Sequence, residues 1–112
     1  MLIATRELKY LTEGGTTISV PISLFAPEKN DKDWSCRYTI GWPDDTESRA
    51  IYGVDSAQAL FLALQGIGTD LYFSDYHETG RLYFERPGSG YGFPVPKNAR
   101  DLLVGEDKRF EG

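Results

Sequence analysis

One stretch near the middle of the chain constrains the fold most, because it predicts a single long helix in a sequence otherwise rich in strand patterns. Asp55 followed three residues later by Gln58 is a capping box, in which each side chain satisfies a backbone N–H at a helix start. Beyond it, apolar residues recur three or four positions apart along one helical face: Ala57, Leu60, Leu64, Ile67 and Leu71. Such a helix is stable mainly through the burial of that face, so the remaining segments must provide the surface on which it packs.

Two glycines give this predicted helix more than one candidate end. Gly66 and Gly68 keep the helical phase, but each costs about 1 kcal/mol in a helix interior, so either is also a candidate C-cap. We favour continuation to about Tyr76, because Leu71 and Tyr72 extend the apolar stripe. The two glycines then allow a bulky group to lie close against the helix.

Strand patterns surround the helix. Apolar and polar residues alternate with a period of two in five segments: 2–11, 18–25, 34–42, 50–54 and 81–85. The third is the clearest, with Trp34, Cys36, Tyr38, Ile40 and Trp42 on one face. Together the segments predict an α+β fold in two layers, an antiparallel β-meander of about four to five strands packed on one long α-helix.

Length and charge narrow the class of protein. A chain of 112 residues accommodates one domain, which we place at 1–112, with about 97–112 as a loosely ordered tail. The formal net charge of −5 disfavours binding to nucleic acid and to anionic membrane surfaces. No run of about 18 apolar residues is present to span a membrane. Early charges at Arg6, Glu7 and Lys9 leave no room for a signal peptide, so we expect a cytoplasmic protein.

Several short motifs resemble those of an uncharacterised family of small bacterial proteins. They are Met1-Leu-Ile-Ala-Thr-Arg-Glu-Leu8, Tyr52-Gly-Val-Asp-Ser-x-Gln-Ala-Leu60, Leu64-Gln-x-Ile-Gly68 and Gly92-Phe-Pro94. The likeness extends from residue 1 to about 96. It implies a single bacterial α+β domain and carries no established activity, so it assigns no functional residue.

The residues capable of chemistry do not form a convincing catalytic or metal site. His77 is the one histidine, and although Asp70, Asp75 and Glu78 are near it in sequence, a polar turn explains the group better than a metal centre. Cys36 lies on an apolar strand face and is expected to be a buried small hydrophobe. The glycines of segment 88–92 precede prolines rather than a helix, which argues against a phosphate loop. We therefore predict no catalytic residue, no metal and no cofactor.

The late aromatic residues are the best candidates for a binding surface. The predicted core has too little room for all of them, and exposed aromatic side chains are enriched at protein interfaces. We predict an interface that contains Tyr76, Tyr83, Tyr91 and Phe93.

The leading hypothesis is accordingly a non-enzymatic protein-interaction domain of the bacterial cytoplasm. An immunity-like or antitoxin-like protein that masks a basic partner is one version, and self-association by strand pairing is another. The alternative is a small-molecule-binding protein or a minor enzyme, with a pocket between the sheet and the helix where the glycines leave space.

Overall fold

The computed structural model of the chain describes residues 1–97 and 102–111. The described residues form six strands and three helices: β1 (Leu2–Leu11), β2 (Thr17–Phe25), β3 (Glu28–Lys29), β4 (Trp34–Gly41), β5 (Thr46–Gly53), α1 (Ser56–Tyr72), α2 (Asp75–Glu78), β6 (Leu82–Tyr83) and α3 (Gly105–Glu111).

The strands form one antiparallel sheet, which confirms the predicted fold class. β1, β2, β4 and β5 follow one another as a meander, and β6 returns to the free side of β1. The short β3 pairs with the first residues of β4. One face of the sheet carries the core, with these side chains fully buried: Leu8, Val20, Ile22, Cys36, Tyr38 and Ile40.

The helix α1 packs mainly on β4 and β5, and it begins as the sequence predicts. The Asp55 carboxylate accepts a hydrogen bond from the Gln58 N–H at 2.8 Å, while the Gln58 side chain accepts from the Val54 N–H at 2.7 Å. The buried stripe is rotated from the predicted one, since Ala59 and Ala63 are buried whereas Leu60 and Leu64 are half-buried. Small side chains at this contact let the helix backbone approach the sheet closely.

The prediction that α1 continues to Tyr76 is wrong. The helix ends at Tyr72, and the Ser74 hydroxyl donates to the Leu71 carbonyl at 2.7 Å while accepting from the His77 N–H at 3.1 Å. Ser74 therefore terminates α1 and caps α2, because its side chain competes with the backbone for hydrogen bonds. Gly66 and Gly68 lie inside α1, as expected from the persistence of the apolar phase.

The close approach predicted at the two glycines is observed, whereas the space predicted there for a ligand is filled by Tyr38 and Pro94. The ring of Tyr38 lies against Gly66, where a Cβ would come within 3.0 Å of its hydroxyl oxygen. The carbonyl of Pro94 lies against Gly68, leaving no room for a Cβ. Pro94 belongs to residues 84–96, which we call the strap; it packs beneath β1 and joins the core through Tyr91 and Val95.

Part of the predicted tail is packed against this strap. Leu103 is buried, and the Asp107 side chain of α3 is buried beside the strap backbone. Residues 98–101 and 112 of the predicted tail lie outside the described residues.

Candidate functional site

Among the described residues, the side of β1 that faces away from β2 has one short strand partner, β6. β6 pairs with β1 only at Lys9 and Tyr10. Across residues 1–97 and 102–111, no strand pairs with this side of β1 from Leu2 to Leu8. We call this stretch the β1 edge.

A local change in backbone conformation ends β6 after two residues. Glu85 has a φ of 63°, in the left-handed region that residues other than glycine rarely adopt. The Arg86 N–H donates to the Phe84 carbonyl at 2.6 Å, which closes a tight turn around Glu85. The chain therefore leaves the sheet and passes beneath it as the strap, instead of continuing along β1.

The β1 edge directs backbone groups that no described strand pairs outward in a defined pattern. The Leu11 N–H donates to the Arg81 carbonyl at 3.0 Å, so odd-numbered residues of β1 direct their N–H and C=O groups to this side. Alternation along the regular part of the strand places the backbone groups of Thr5 and Glu7 on the same side. No strand described in the structure faces them.

A cavity of about 260 Å³ adjoins the β1 edge. The cavity is lined on the β1 side by Ala4, Thr5 and Arg6, and on the α1 side by the half-buried Leu64. Further walls come from Ile22 and Leu24 of β2 and from Gly92, Phe93 and Pro94 of the strap. The lining is mainly apolar, and Arg6 is its one charged side chain among the described residues.

Arg6 is held in a fixed position by the strap. Its guanidinium carbon lies 4.4 Å from the ring centroid of Phe84 and 5.2 Å from that of Phe93. Its Nη1 donates to the Tyr91 carbonyl at 2.9 Å. Within the described part of the chain, no carboxylate forms an ion pair with Arg6, since both salt bridges there involve Arg49. A half-buried cation with spare donors therefore borders an apolar cavity.

The strap is itself held by one carboxylate. Asp107, 4% exposed, accepts hydrogen bonds from the Tyr91 N–H at 2.8 Å, the Gly92 N–H at 2.6 Å and the Tyr72 hydroxyl at 2.6 Å. Burial, together with this hydrogen bond to Asp107, raises the pKa of Tyr72. Tyr72 therefore stays a neutral donor, and the segment that positions Arg6 is anchored to α1 and α3.

The four aromatic residues predicted as one interface are divided among three places. Tyr91 is 3% exposed, belongs to the core and, together with Tyr83, lines a cavity beside His77. Phe93 lines the cavity beside Arg6. Tyr83 is half-buried on β6, one residue from the buried Leu82.

Tyr76 belongs to a separate cluster of aromatic side chains. Its ring stacks on Trp42 at a centroid distance of 5.1 Å and meets Tyr10 edge-on at 4.9 Å. Its hydroxyl donates to Asp44 at 2.6 Å, and this hydrogen bond, with partial burial, raises the pKa of Tyr76 to about 12.

Sequence reasoning missed Arg6 as a site residue. The signal was available in the alternation of β1, which places Arg6 on the same face as Leu8. An arginine at a core-facing strand position needs either a partner or a ligand, because desolvation of a charge is costly. The partners became visible only with the path of the strap.

His77 borders a second cavity, of about 320 Å³, together with Leu82 and Tyr83. Its Nδ1 shares a hydrogen bond with the Tyr91 hydroxyl, and its ring meets Tyr72 edge-on at 4.8 Å. Burial lowers the pKa of His77, which favours the neutral ring. Asp70 is not beside His77, and across the described residues no group of three His, Cys, Asp or Glu side chains is arranged to hold a metal.

Asp70 instead forms part of a polar cluster between α1 and β5. It accepts hydrogen bonds from the Tyr38 hydroxyl and, at 3.0 Å, from Arg49. Burial and the neighbouring Glu47 raise the pKa of Asp70 to about 6. The Glu47 side chain accepts from the Trp42 Nε1 at 2.9 Å. The cluster joins the helix to the edge of the meander.

Residues 4–95 match a family described as Domain of unknown function (DUF6968). The chain belongs to this family. The DUF6968 match includes the β1 edge from Ala4 onward, α1 and nearly all of the strap, and it stops before α3. The predicted resemblance to an uncharacterised single-domain family is thereby confirmed.

A curated protein with local similarity is an uncharacterised HTH-type transcriptional regulator of Methanocaldococcus jannaschii, 44% identical over 45 residues. That stretch is 40% of this chain but only 10% of the regulator, so the chain spans about a tenth of the relative that it matches. No solved structure matches the chain. In the part of the chain that the structure describes, no helix is both long enough and apolar enough to cross a membrane.

Proposed function

We propose that this DUF6968 domain is a protein-interaction module that binds an extended segment of another protein as an additional strand along the β1 edge. The observation that carries the proposal is the early end of β6, after which no strand in the described part of the chain faces the backbone of Thr5 and Glu7, beside a cavity. Edge strands that are neither paired nor covered are templates for pairing with another chain.

Strand addition divides recognition between two kinds of contact. Main-chain hydrogen bonds to Thr5 and Glu7 supply affinity without regard to sequence, whereas a pocket for alternate side chains supplies selectivity. The cavity lies on the face of β1 occupied by Ala4 and Arg6, where every second side chain of an added strand points. The β1 edge thus places the main-chain groups that supply affinity next to the cavity that supplies selectivity.

This proposal keeps the predicted class of function and changes the surface. The burial of Tyr91 favours a role for its ring in packing, and the strap contributes through Phe93 and through its hold on Arg6. The immunity-like or antitoxin-like version, which depends on size and charge, stays a prediction. So does the absence of nucleic-acid binding, which the net charge of −5 supports.

A proline substitution tests the β1 edge directly. Thr5→Pro removes an N–H that points away from the sheet, and prolines are tolerated at such edge positions. Thr5→Val retains the N–H and the strand preference, and serves as the matched control. Both variants and the unchanged protein would be used to select binders from a phage-displayed library of random nine-residue peptides.

We expect enrichment of peptides on the unchanged protein and on Thr5→Val, and loss of their binding on Thr5→Pro at an unchanged melting temperature. If Thr5→Pro also lowers the melting temperature, amide hydrogen exchange of the unchanged protein decides instead. A selected peptide should slow exchange at Thr5 and Glu7. Absence of enrichment, or peptides that leave both amides unprotected, would refute the proposal.

The cavity also favours a second candidate, a small-molecule-binding protein with its site between sheet and helix. Its volume of about 260 Å³ is near the lower end for ligand sites, so the ligand would be small. Leu64→Phe would fill the cavity and abolish binding of a small molecule. A fragment screen by NMR that gives no shifts at Ala4 and Leu64 would exclude this candidate.

A further inference from the structure

We propose that the segment bound along the β1 edge carries an acidic residue opposite Arg6 and, two positions later, an apolar residue opposite Ala4. This inference rests on the proposed function and defines the class of peptide that the edge accepts. It depends on the charge state, position and surroundings of Arg6, and on the register that β6 already sets.

Charge complementarity assigns the acidic residue. Arg6 is half-buried beside the rings of Phe84 and Phe93. Among the described residues, its guanidinium donates one hydrogen bond, to the Tyr91 carbonyl. A guanidinium presents five donors and matches a carboxylate in geometry as well as charge. The rings and the strap hold it in place, so a carboxylate that pairs with it does not need to immobilise a flexible side chain.

The existing pairing fixes which positions of a new strand face the cavity. β6 pairs antiparallel with β1, with Lys9 opposite Tyr83 and Tyr10 opposite Leu82. A strand that continues along β1 in the same sense places the partners of Arg6 and Ala4 on the cavity face, since facing residues share a side of the sheet. In an antiparallel strand the partner of Arg6 comes first, which gives the order acidic, any residue, apolar.

The walls of the cavity assign the apolar residue. Ala4 is small and leaves space beside it, and this space is bounded by Leu24, Leu64 and Phe93. A cavity of about 260 Å³ accommodates one aliphatic side chain in contact with these walls. Burial of that side chain adds affinity in proportion to the apolar area removed from water.

Four synthetic peptides test the order and the charge. The first is acetyl-Thr-Thr-Glu-Thr-Val-Thr-Thr-amide; the second replaces Glu by Gln; the third exchanges Glu and Val; the fourth replaces Val by Thr. Dissociation constants would be measured by titration calorimetry for the unchanged protein, Arg6→Gln and Lys9→Gln. Lys9 is the matched control, because it lies on the same strand with its side chain exposed on the opposite face.

We expect the first peptide to bind about tenfold more tightly than each of the other three, as the loss of one charge-assisted contact or one buried side chain implies. Arg6→Gln should remove the preference for Glu over Gln, and Lys9→Gln should retain it. Arg6→Lys, which keeps the charge, should restore part of the preference if Arg6→Gln lowers the melting temperature.

Equal binding of the Glu and Gln peptides would overturn the assignment of the acidic residue, and tighter binding of the exchanged peptide would overturn the order. Either result, with binding still lost in Thr5→Pro, would leave strand addition intact. If none of the peptides binds and the phage selection also fails, the proposed function itself is refuted.

Discussion

The Asp107 carboxylate accepts hydrogen bonds from two consecutive backbone N–H groups of the strap, those of Tyr91 and Gly92, at 2.8 and 2.6 Å. The strap in turn holds the Arg6 guanidinium through the Tyr91 carbonyl. A residue of the C-terminal helix therefore determines the position of a residue in the first strand. The geometry of the candidate site therefore depends on where α3 packs.

Removal of this carboxylate should loosen the strap. Asp107→Ala leaves the buried donors of Tyr91 and Tyr72, and the partly buried N–H of Gly92, without an acceptor, which should lower the free energy of unfolding by about 2–4 kcal/mol. Lys108→Ala, at an exposed position of the same helix, should change it by less than about 0.5 kcal/mol. Urea denaturation of the two variants measures the difference, and equal stabilities would contradict the role assigned to Asp107.

Two glycines of α1 should differ sharply in their tolerance of a methyl group. A Cβ at Gly68 would overlap the carbonyl of Pro94, whereas one at Gly66 would meet the end of the Tyr38 side chain at 3.0 Å. Gly68→Ala should therefore destabilise the protein by about 2–3 kcal/mol, and Gly66→Ala should stay within about 1 kcal/mol of the unchanged protein. Thermal unfolding of both variants checks this, and a stable Gly68→Ala would mean that the strap does not lie against α1.

Asp70 should contribute stability that is present at mildly acidic pH and is lost as the pH rises. Burial, with Glu47 beside it, raises the pKa of Asp70 from 3.8 to about 6. Between these two values the folded protein holds the proton and the unfolded chain has lost it, so the free energy of unfolding falls as pH rises through this window. We expect Asp70 to contribute a decrease of about 1–2 kcal/mol from about pH 5 to about pH 7.

Asp70→Asn should remove this slope, whereas Asp75→Asn, at an exposed position of α2, should retain it. Urea titrations at several pH values measure both variants. The lowered pKa of Glu47 has the opposite sign and acts at lower pH, whereas the lowered pKa of His77 has the opposite sign within this window. The comparison with Asp70→Asn therefore isolates the contribution of Asp70, and an Asp70→Asn variant with the same pH slope as the unchanged protein would contradict the expected protonation of Asp70.

Tyr91 and Tyr83 should behave differently although sequence patterns grouped them together. Tyr91 is buried and packs on Tyr72 at a centroid distance of 5.1 Å, so Tyr91→Ala should cost about 3–5 kcal/mol in unfolding free energy. Tyr83→Ala, at a half-buried position, should cost less than about 1.5 kcal/mol. Melting temperatures decide between core and surface, and a Tyr91→Ala variant of unchanged stability would place that ring outside the core.

The elements that local patterns specify were predicted well. The alternation from Trp34 to Trp42 places three side chains in the core, those of Cys36, Tyr38 and Ile40, and the cap at Asp55 starts α1. The end of α1 was predicted wrongly, because Ser74 forms a local hydrogen bond that apolar periodicity does not reveal. The buried face of α1 differs from the predicted one, because the close approach of α1 to the sheet favours alanines over leucines at the contact.

The candidate site was only partly predictable. Phe93 was predicted as a binding residue and lines the cavity, but its neighbour Arg6 is far away in sequence, and nothing local links them. Tyr91 was assigned to a surface because aromatic residues exceeded the room expected in a core formed by one helix and one sheet. The strap supplies additional core volume, and its path depends on the left-handed turn at Glu85.

The sequence alone determined the meander, the single long helix and the buried faces of β1, β2 and β4, because these depend on the spacing of apolar residues and on local caps. Only the tertiary structure decided which side of β1 stays open, where the strap crosses, and that Arg6 meets Phe84, Phe93 and Tyr91. Those features arise from contacts between residues distant along the chain, whose combined burial and hydrogen bonding no local pattern encodes. The candidate function depends on them.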